Sequence, residues 1–241
     1  MSTVPAQIPS LPASPYLAPE DEIDYDELIT EDDTPVDSWY SERQHRLLTD
    51  ALHVSWKTPG GRPHLAATDV GLFFAVNQPP LSPDVMVSLD VTAPANPLEK
   101  PNHSYYIWKF GKPPDAIVEV VSNREGGELT TKLAAYARIH IPFYIVWDPY
   151  GHLGDQALHC FRLDGMRFVP CEPWFPDLEL GVTTWDGEYD GFSGRWLRWC
   201  DQQGELLATG IERAVEADIA VQRAAKLAQK LRELGIDPDK I

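Results

Sequence analysis

One short segment constrains the fold of this chain more than any other. Residues 116–121 read Ala-Ile-Val-Glu-Val-Val, an almost continuous apolar run. Such a run is typical of a central strand that is covered on both faces of a sheet. Because an isolated carboxylate is costly to bury there, Glu119 must meet a cation, a metal ion or a hydrogen-bonding partner. The simpler alternative is a purely structural pair with an Arg, since ion pairs also occupy protein interiors.

A second acid, Asp84, stands at the start of another predicted strand, residues 83–89. By itself Pro83-Asp84 is an ordinary turn at the entry to a strand. Taken together with Glu119 it is more informative, because two acids on adjacent strands can share a divalent cation through their oxygen atoms. A Mg²⁺ ion held in this way can bind a phosphate oxygen and lower the pKa of a bound water.

A basic side chain near the two acids would orient that water or neutralise developing charge. The position two residues after Glu119 lies on the same face of the strand, but it is occupied by Val121. Lys132 lies on the following predicted helix, on the same side as Tyr136, and can reach back toward the carboxylates. The alternative is that Lys132 is an ordinary exposed lysine on a helix surface.

The remaining pattern predicts an α/β fold with a mixed central β-sheet flanked by helices. We expect an amphipathic helix at 41–56 and a strand at 66–76, followed by the two strands already described. A helix at 128–140 precedes a buried strand at 142–147, and shorter strands follow at 157–163 and 167–171. Residues 185–199 are consistent with a hairpin or with a strand followed by a helix. An amphipathic C-terminal helix is expected over roughly 205–234.

The charge of the chain is unevenly distributed. The total is −17, from 37 acids against 20 Lys and Arg, but ten of the acids fall within residues 1–40, which contain no Lys or Arg. The rest of the chain has 27 acids against 20 bases, a balance of −7. We therefore expect a Pro-rich, acidic, flexible arm at 1–37, a folded domain at 38–204 and a C-terminal helical segment at 205–241.

Several residues together resemble the Uma-two family, bacterial proteins similar to restriction endonucleases of the PD-(D/E)XK superfamily. The resemblance covers about residues 38–238. It is carried by Pro83-Asp84, by Glu119-Val120-Val121-Ser122, by Lys132 and Tyr136, by the segment Pro142-Phe143-Tyr144-Ile145-Val146-Trp147-Asp148-Pro149, and by the C-terminal Leu-Arg-Glu-Leu-Gly-Ile-Asp-Pro of residues 231–238. Two departures are Glu128, where the family carries an Asp, and Phe143, where it carries a Glu.

The resemblance implies a restriction-endonuclease-like core with a metal ion bound at the sheet. Asp84 and Glu119 would then be the metal ligands, with Mg²⁺ or Mn²⁺ as the cofactor, and Lys132 would supply the missing basic group. Glu42 matches an acidic position that often supplements such metal sites, and His45 matches a His beside it. The implied reaction is hydrolysis of DNA phosphodiester bonds by a metal-activated water.

Other readings and partner predictions remain open from the sequence. The nuclease scaffold can persist as a catalytically silent binding module, or the protein can act as an oligomeric interaction protein, most simply a dimer formed through the C-terminal helix. We expect weak, salt-dependent DNA binding, and an acidic arm that competes with DNA for the active-site face. Candidate DNA contacts are Lys100, His103, Trp108, Lys109, Lys112 and Arg124. The chain shows no signal-peptide or membrane-spanning pattern, which favours a cytoplasmic protein.

Overall fold

The computed structural model describes residues 38–75, 78–124, 126–234 and 237. Within them the core is a six-stranded mixed sheet with strands in the order β1-β3-β5-β6-β7-β8. These strands are β1 His64–Thr68, β3 Val85–Leu89, β5 Ala116–Val120, β6 Phe143–Trp147, β7 Leu158–Asp164 and β8 Arg167–Pro170. The short strands β2 Leu72–Phe73 and β4 Tyr105–Tyr106 pair with each other, and β9 Trp174–Phe175, β10 Leu180–Tyr189 and β11 Phe192–Cys200 form a third sheet.

Four helices accompany the sheets in the described residues: α1 Trp39–Ser55, α2 Ile107–Phe110, α3 Leu133–Arg138 and α4 Gly210–Glu233. A π-helical turn, Glu128–Lys132, leads directly into α3. Short 3₁₀ turns occur at Pro59–Gly61, Lys100–Asn102 and Pro176–Leu178. This mixed α/β architecture, with its flanking helices and C-terminal helix, confirms the predicted restriction-endonuclease-like fold.

The central strands are buried along their whole length, as the apolar runs predict. Every residue of β3, β5 and β6 is buried. Strands β5 and β6 run parallel, whereas the other pairings in this sheet are antiparallel. A parallel pair needs a crossover connection, and the π-helical turn with α3 provides it. This connection is what carries Lys132 and Tyr136 over the sheet.

The two faces of the central sheet have different coverings. On the first face, Val118 and Ile145 pack with Leu48 and Leu52 of α1 and with Trp199 of β11. The second face includes a separate cluster whose members come from the strands, from α3 and from the β2–β4 pair; they include Leu72, Met86, Tyr105, Ile117, Val121, Tyr136 and Tyr144. Because side chains alternate along a strand, Glu119 projects to the second face, between Ile117 and Val121.

Helix α1 is joined to the third sheet by buried hydrogen bonds. The Gln44 side chain donates to the Leu197 carbonyl and accepts from the Leu197 N–H, both at 2.9 Å. The indole of Trp199 donates to the Leu48 carbonyl at 3.0 Å. These paired contacts fix the position of α1, and therefore of the His45 side chain that α1 carries toward the second face.

Two predicted elements need correction. The strand expected at 66–76 is divided, because Asp69 adopts a left-handed φ of 54° that ends β1 and redirects the chain into β2. The helix expected from 205 begins only at Gly210, because the preceding residues pair with β11: Leu206 bridges Cys200, and the Leu207 N–H donates to Trp199. Residues 185–199 lie within a hairpin, so the first of the two alternatives is confirmed.

Part of the sequence-based account lies outside the described residues. The acidic arm at 1–37 belongs to this part, so its predicted flexibility and its competition with DNA stay predictions. No helix among the described residues combines the length and the hydropathy that crossing a membrane requires.

Candidate active site

Strand register brings the two predicted acids together. In the antiparallel pairing of β3 with β5, Val85 lies opposite Val118 and Met86 opposite Ile117. Continuing this register by one residue places Asp84 opposite Glu119. The backbone N–H of Val120 donates to Asp84 Oδ2 at 2.6 Å, which ties the Asp84 carboxylate to the end of β5.

Glu119 is fully buried and both of its oxygens accept hydrogen bonds. Lys132 Nζ donates to Oε2 at 2.8 Å, and the Tyr136 hydroxyl donates to Oε1 at 2.6 Å. Both donors come from the crossover between β5 and β6. The partner of the buried acid is therefore the predicted Lys132, and not a structural Arg.

Asp84 lies closer to solvent, with 23% of its side chain exposed. His45 of α1 is placed between two acids: its Nε2 is 3.8 Å from Asp84 Oδ2, and its Nδ1 is 3.5 Å from Asp69 Oδ2. The turn at Asp69 that divides the predicted strand is thus also what carries this third carboxylate to the site. Asp69, Lys132 and Asp84 are the partly exposed members of the cluster, so a ligand from solvent would meet these residues before Glu119.

Burial raises the pKa values of the two central acids, and neighbouring carboxylates add to the shift. Burial, and then the neighbouring Asp84, raise the pKa of Glu119 to about 8, although Lys132 and Tyr136 oppose the shift. Burial likewise raises the pKa of Asp84, against the opposing effects of His45, the Val120 N–H and Lys132. Both acids are therefore costly to ionise in the metal-free protein, and perturbed pKa values on adjacent acids are a frequent property of functional sites.

The donors at the site are held in their protonated forms. Burial lowers the pKa of Lys132, but attraction to Glu119, Asp84 and Glu128 outweighs it and the pKa is raised overall. Burial and the adjacent Glu119 raise the pKa of Tyr136. Lys132 is therefore an ammonium, and Tyr136 a neutral phenol that donates to Glu119.

A further buried acid, Glu128, lies beside Lys132. Its Oε1 is 3.5 Å from Lys132 Nζ, its side chain is only 6% exposed, and its buried Oε2 has no hydrogen-bond partner. The Tyr144 hydroxyl donates to the Glu128 carbonyl at 3.0 Å and anchors the start of the π-helical turn. An unsatisfied buried carboxylate oxygen adds to the excess of negative charge around one lysine.

The donor set fits a Mg²⁺ ion that is completed by water and substrate. Within the described ranges, no group of three or more His, Cys, Asp or Glu side chains is arranged to hold a metal ion by itself. Mg²⁺, however, is commonly bound by one or two carboxylates together with waters and phosphate oxygens. Asp84 and Glu119 are such a pair, a divalent cation would favour their ionised forms, and Asp84 is partly accessible to solvent.

Not every predicted site residue joins this cluster. The half-exposed Glu42 carboxylate instead contacts Arg43 Nη1 at 3.2 Å and Arg46 Nε at 3.5 Å, near the tip of the β10–β11 hairpin. These two arginines already provide the positive charge that the Glu42 carboxylate needs. The structure therefore gives Glu42 different neighbours from the acids that it was expected to supplement.

The predicted DNA contacts are similarly divided. Lys112 is committed to the fold, with its Nζ bonded to Asp115 Oδ2 at 2.5 Å and to the Leu89 carbonyl at 3.0 Å. The other five are exposed: Lys100, His103, Trp108, Lys109 and Arg124. Tyr105, which precedes several of them, packs in the same cluster as Tyr136. This places the segment that contains Trp108 and Lys109 on the sheet face that carries Glu119.

Sequence reasoning missed the participation of Asp69 and the hydrogen bond from Tyr136. Asp69 was placed inside a continuous strand, although Asp is disfavoured in strands and tolerates left-handed φ, which was a usable signal. Tyr136 follows Lys132 by four residues, and this spacing puts both on one side of a helix. The sequence analysis placed Tyr136 on the same side of the helix as Lys132 but did not predict its hydrogen bond to Glu119.

A comparison with protein families identifies the family of this chain. No curated protein matches the sequence. The family model Uma2, described as "Putative restriction endonuclease", matches residues 20–186. The match spans most of the chain and includes Asp84, Glu119 and Lys132. On this evidence, and in accord with the resemblance of its motifs, the chain belongs to the Uma2 family.

Proposed function

We propose that this protein is a Mg²⁺-dependent endonuclease that hydrolyses DNA phosphodiester bonds. One observation carries the proposal: the β3–β5 register, continued by one residue, sets Asp84 opposite Glu119, and the Lys132 ammonium lies 2.8 Å from Glu119. The nuclease class is supported by the family match. The metal ion, the DNA substrate and the roles of the residues are our inference from the arrangement of the side chains.

Each side chain has a defined task in this proposal. Asp84 and Glu119 hold the cation, and the Val120 N–H and Tyr136 fix the orientation of their carboxylates. Bound Mg²⁺ would supply a Lewis acid for the phosphate and lower the pKa of a water. Lys132 stays protonated beside Glu119 and places positive charge where the pentavalent phosphate transition state accumulates negative charge.

The exposed residues of the 92–114 connection would bind the nucleic acid. Lys100 and Lys109 supply charge for phosphate oxygens, and Trp108, which is 54% exposed, offers a surface for stacking on a base. Arg124 follows β5, the strand that carries Glu119, and so connects this surface to the site. Because the chain is acidic overall, we expect weak binding. Because that binding would depend on Lys and Arg contacts to phosphates, we expect it to weaken steeply as the salt concentration rises.

Nicking of supercoiled plasmid tests the proposal. Purified full-length protein is incubated with plasmid and Mg²⁺, Mn²⁺ or EDTA, as wild type, as Asp84→Asn and as Asp177→Asn. The Asn at 84 can still accept the Val120 hydrogen bond, and Asp177 is an exposed acid remote in sequence from the motif residues. We expect nicking by wild type and by Asp177→Asn with either metal, and none by Asp84→Asn or in EDTA.

The same experiment separates the alternatives. A catalytically silent binding module would shift the plasmid in a gel without nicking it, and its DNA affinity would survive both EDTA and Asp84→Asn. Equal nicking by wild type and Asp84→Asn would mean that another nuclease, in the protein or in the preparation, is responsible. Either result would overturn the proposed function.

A further inference from the structure

Helix α4 is attached to the rest of the protein at its beginning. The Gly210 N–H donates to Asp50 Oδ2 at 2.8 Å, Arg213 Nε donates to Ser55 Oγ at 3.0 Å, and Glu212 pairs with Arg198. A capping box of Thr209 and Glu212 starts the helix. No residue of α4 is buried. At about 1.5 Å per residue, its 24 residues extend for about 36 Å.

One face of this exposed helix is entirely apolar. If Ala214 is taken as heptad position a, then every residue at positions g, a and d from 214 to 231 is apolar and uncharged. These residues are Ala214, Ala217, Ala220, Val221, Ala224, Leu227, Ala228 and Leu231. Val221 is 68% exposed and Leu227 is 63% exposed. Single exposed apolar residues are normal, but a continuous apolar face over five turns is typical of a surface that another helix covers.

The large residues make this face more than a row of alanines. Val221 and Leu231 lie on the seam itself, and Leu227 flanks it. Isolated helices are only marginally stable in water, and helices in proteins gain most of their stability from the packing of an apolar face. A projecting helix with such a face therefore gains stability from a partner helix of matching length and pattern.

Charges along α4 identify that partner. The first half, residues 210–221, contains Glu212, Glu216 and Asp218 against Arg213, a net charge of −2. The second half, residues 222–233, contains Arg223, Lys226, Lys230 and Arg232 against Glu233, a net charge of +3. A helix that is acidic at its start and basic at its end is complementary to a second copy of itself in the antiparallel direction. In a parallel pair, by contrast, like charges would face each other.

We propose that α4 is a dimerisation helix, which pairs in antiparallel orientation with α4 of a second copy of this chain. The seam then forms symmetric layers: Val221 lies against Ala224 of the other copy, Ala217 against Ala228, and Ala214 against Leu231. The alanines allow the two helices to approach closely, whereas the larger side chains fill the space near the centre and the ends. The acidic half of each helix faces the basic half of the other.

Sedimentation velocity of the full-length protein over a range of micromolar concentrations tests the dimer. Wild type should sediment as a species of about 54 kDa, twice the 27.1 kDa chain. Val221→Glu with Ala228→Glu places two charges on the seam and should weaken association at least tenfold. The matched control, Gln222→Glu with Gln229→Glu, adds the same charge one residue further along, away from the seam, and should remain dimeric.

Because these positions are exposed, the substitutions leave the core intact, and thermal unfolding of each variant checks this. A monomeric wild type would overturn the proposal, and this result would also be the one expected if a helix of a different protein covers the face. Dimerisation that survives the seam variant would overturn it as well.

Orientation is tested by reversing charges. Glu216→Lys with Asp218→Lys makes the first half basic, so an antiparallel pair is repelled and should dissociate at least tenfold more readily. Adding Lys226→Glu and Lys230→Glu should restore association, because the two halves again differ in sign. In a parallel pair the first change leaves like charges facing each other as before, so an unaltered dissociation constant would contradict the antiparallel arrangement.

Discussion

Two ion pairs, Arg198–Glu212 and Lys132–Glu119, each have one buried partner and have opposite electrostatic balances. The buried Arg198 guanidinium makes two bonds to Glu212, at 3.1 and 2.8 Å, and Glu212 Oε2 also accepts from the N–H and the hydroxyl of Thr209. Burial raises the pKa of Glu212, but these donors outweigh it and the pKa is lowered. For Glu119, burial and Asp84 prevail over Lys132 and Tyr136, and the pKa is raised to about 8.

The difference lies in what surrounds each acid. Glu212 has more donors than acids around it, and it joins the start of α4 to β11. Glu119 has a second carboxylate opposite it, and its lysine is shared with Glu128. The donors around Glu212 therefore leave the pKa of that acid lowered, whereas the surroundings of Glu119 leave its pKa raised. We expect a divalent cation to bind at the second pair, because it would add positive charge beside Glu119 and Asp84.

The largest expected effect is the loss of catalysis in Glu119→Gln. The amide removes the charge that would hold the metal, and metal-ion catalysis is worth several kcal/mol. We expect plasmid nicking to fall on the order of 1000-fold, about 4 kcal/mol at 1.36 kcal/mol per tenfold. At pH 5, where Glu119 of the metal-free protein is protonated and the Gln amide resembles it, thermal unfolding should change little, since Lys132 is 32% exposed and can turn to solvent. Nicking within a few-fold of wild type would contradict the role of Glu119.

The matched change in the other pair, Glu212→Gln, should act on stability. It leaves the Arg198 guanidinium, which is 2% exposed, without its compensating charge. Removing the charge that faces a buried guanidinium is destabilising, and because the lost carboxylate is itself 42% exposed we expect the free energy of unfolding to fall by about 2 kcal/mol. Urea denaturation measures this change. Nicking by the folded fraction should match wild type, and an unaltered stability would show that the Arg198 charge is not buried in solution.

The pH dependence of stability should differ in sign between the two acids. Since the folded-state pKa of Glu119 exceeds its ordinary value, the folded state binds the proton more tightly between pH 4.5 and 8, and metal-free protein loses stability as pH rises through this window. From pH 5 to 7 we expect wild type to lose about 2 kcal/mol relative to Glu119→Gln. Glu212, with a lowered pKa, contributes stability that is lost only as the pH falls through its folded-state value.

Denaturant unfolding of wild type and both Gln variants, at several pH values in EDTA, measures these slopes. Wild type and Glu119→Gln with parallel profiles from pH 5 to 7 would show that Glu119 is ionised throughout. In that case Lys132 and Tyr136 would stabilise the ionised Glu119 carboxylate as fully as its own donors stabilise the Glu212 carboxylate.

Replacement of Lys132 should give the smallest of these effects. Lys132→Met keeps the length of the side chain but removes the ammonium from the transition state. We expect nicking to fall about tenfold, because the metal ligands remain in place and a single positioned charge contributes only part of the stabilisation. Lys57→Met, at an exposed lysine, is the control. Full activity of Lys132→Met would assign Lys132 to the fold alone.

Much of the fold followed from local pattern. Strands that are buried on both faces consist almost entirely of apolar residues, so the apolar runs around Val118 and Ile145 identified the centre of the sheet. The turn at Asp69 was missed because neighbouring apolar residues mimic a continuous strand. The start of the last helix was placed too early because Leu207 fits a helical stripe, but its N–H bonds to β11, which is a tertiary contact.

The site was predictable where it contains a residue that its position in the sheet strongly disfavours. A carboxylate in a doubly covered strand, Glu119, demands a partner, and helical geometry limits that partner to a few positions such as Lys132. For Glu42 the prediction was less complete. The helix that carries it could be predicted, but not that Arg43 and Arg46 would neutralise its carboxylate. The Asp69 carboxylate reaches the site only through its backbone turn, which side-chain patterns do not reveal.

Calorimetric titration of Mg²⁺ into the metal-free protein at pH 8, without DNA, tests the central claim most directly. The claim is that Asp84 and Glu119 form an acidic pair that binds one divalent cation. We predict one bound Mg²⁺ in wild type and in Glu212→Gln, and none in Asp84→Asn or Glu119→Gln. Equal Mg²⁺ binding by wild type and both site variants, or no binding by wild type, would contradict it.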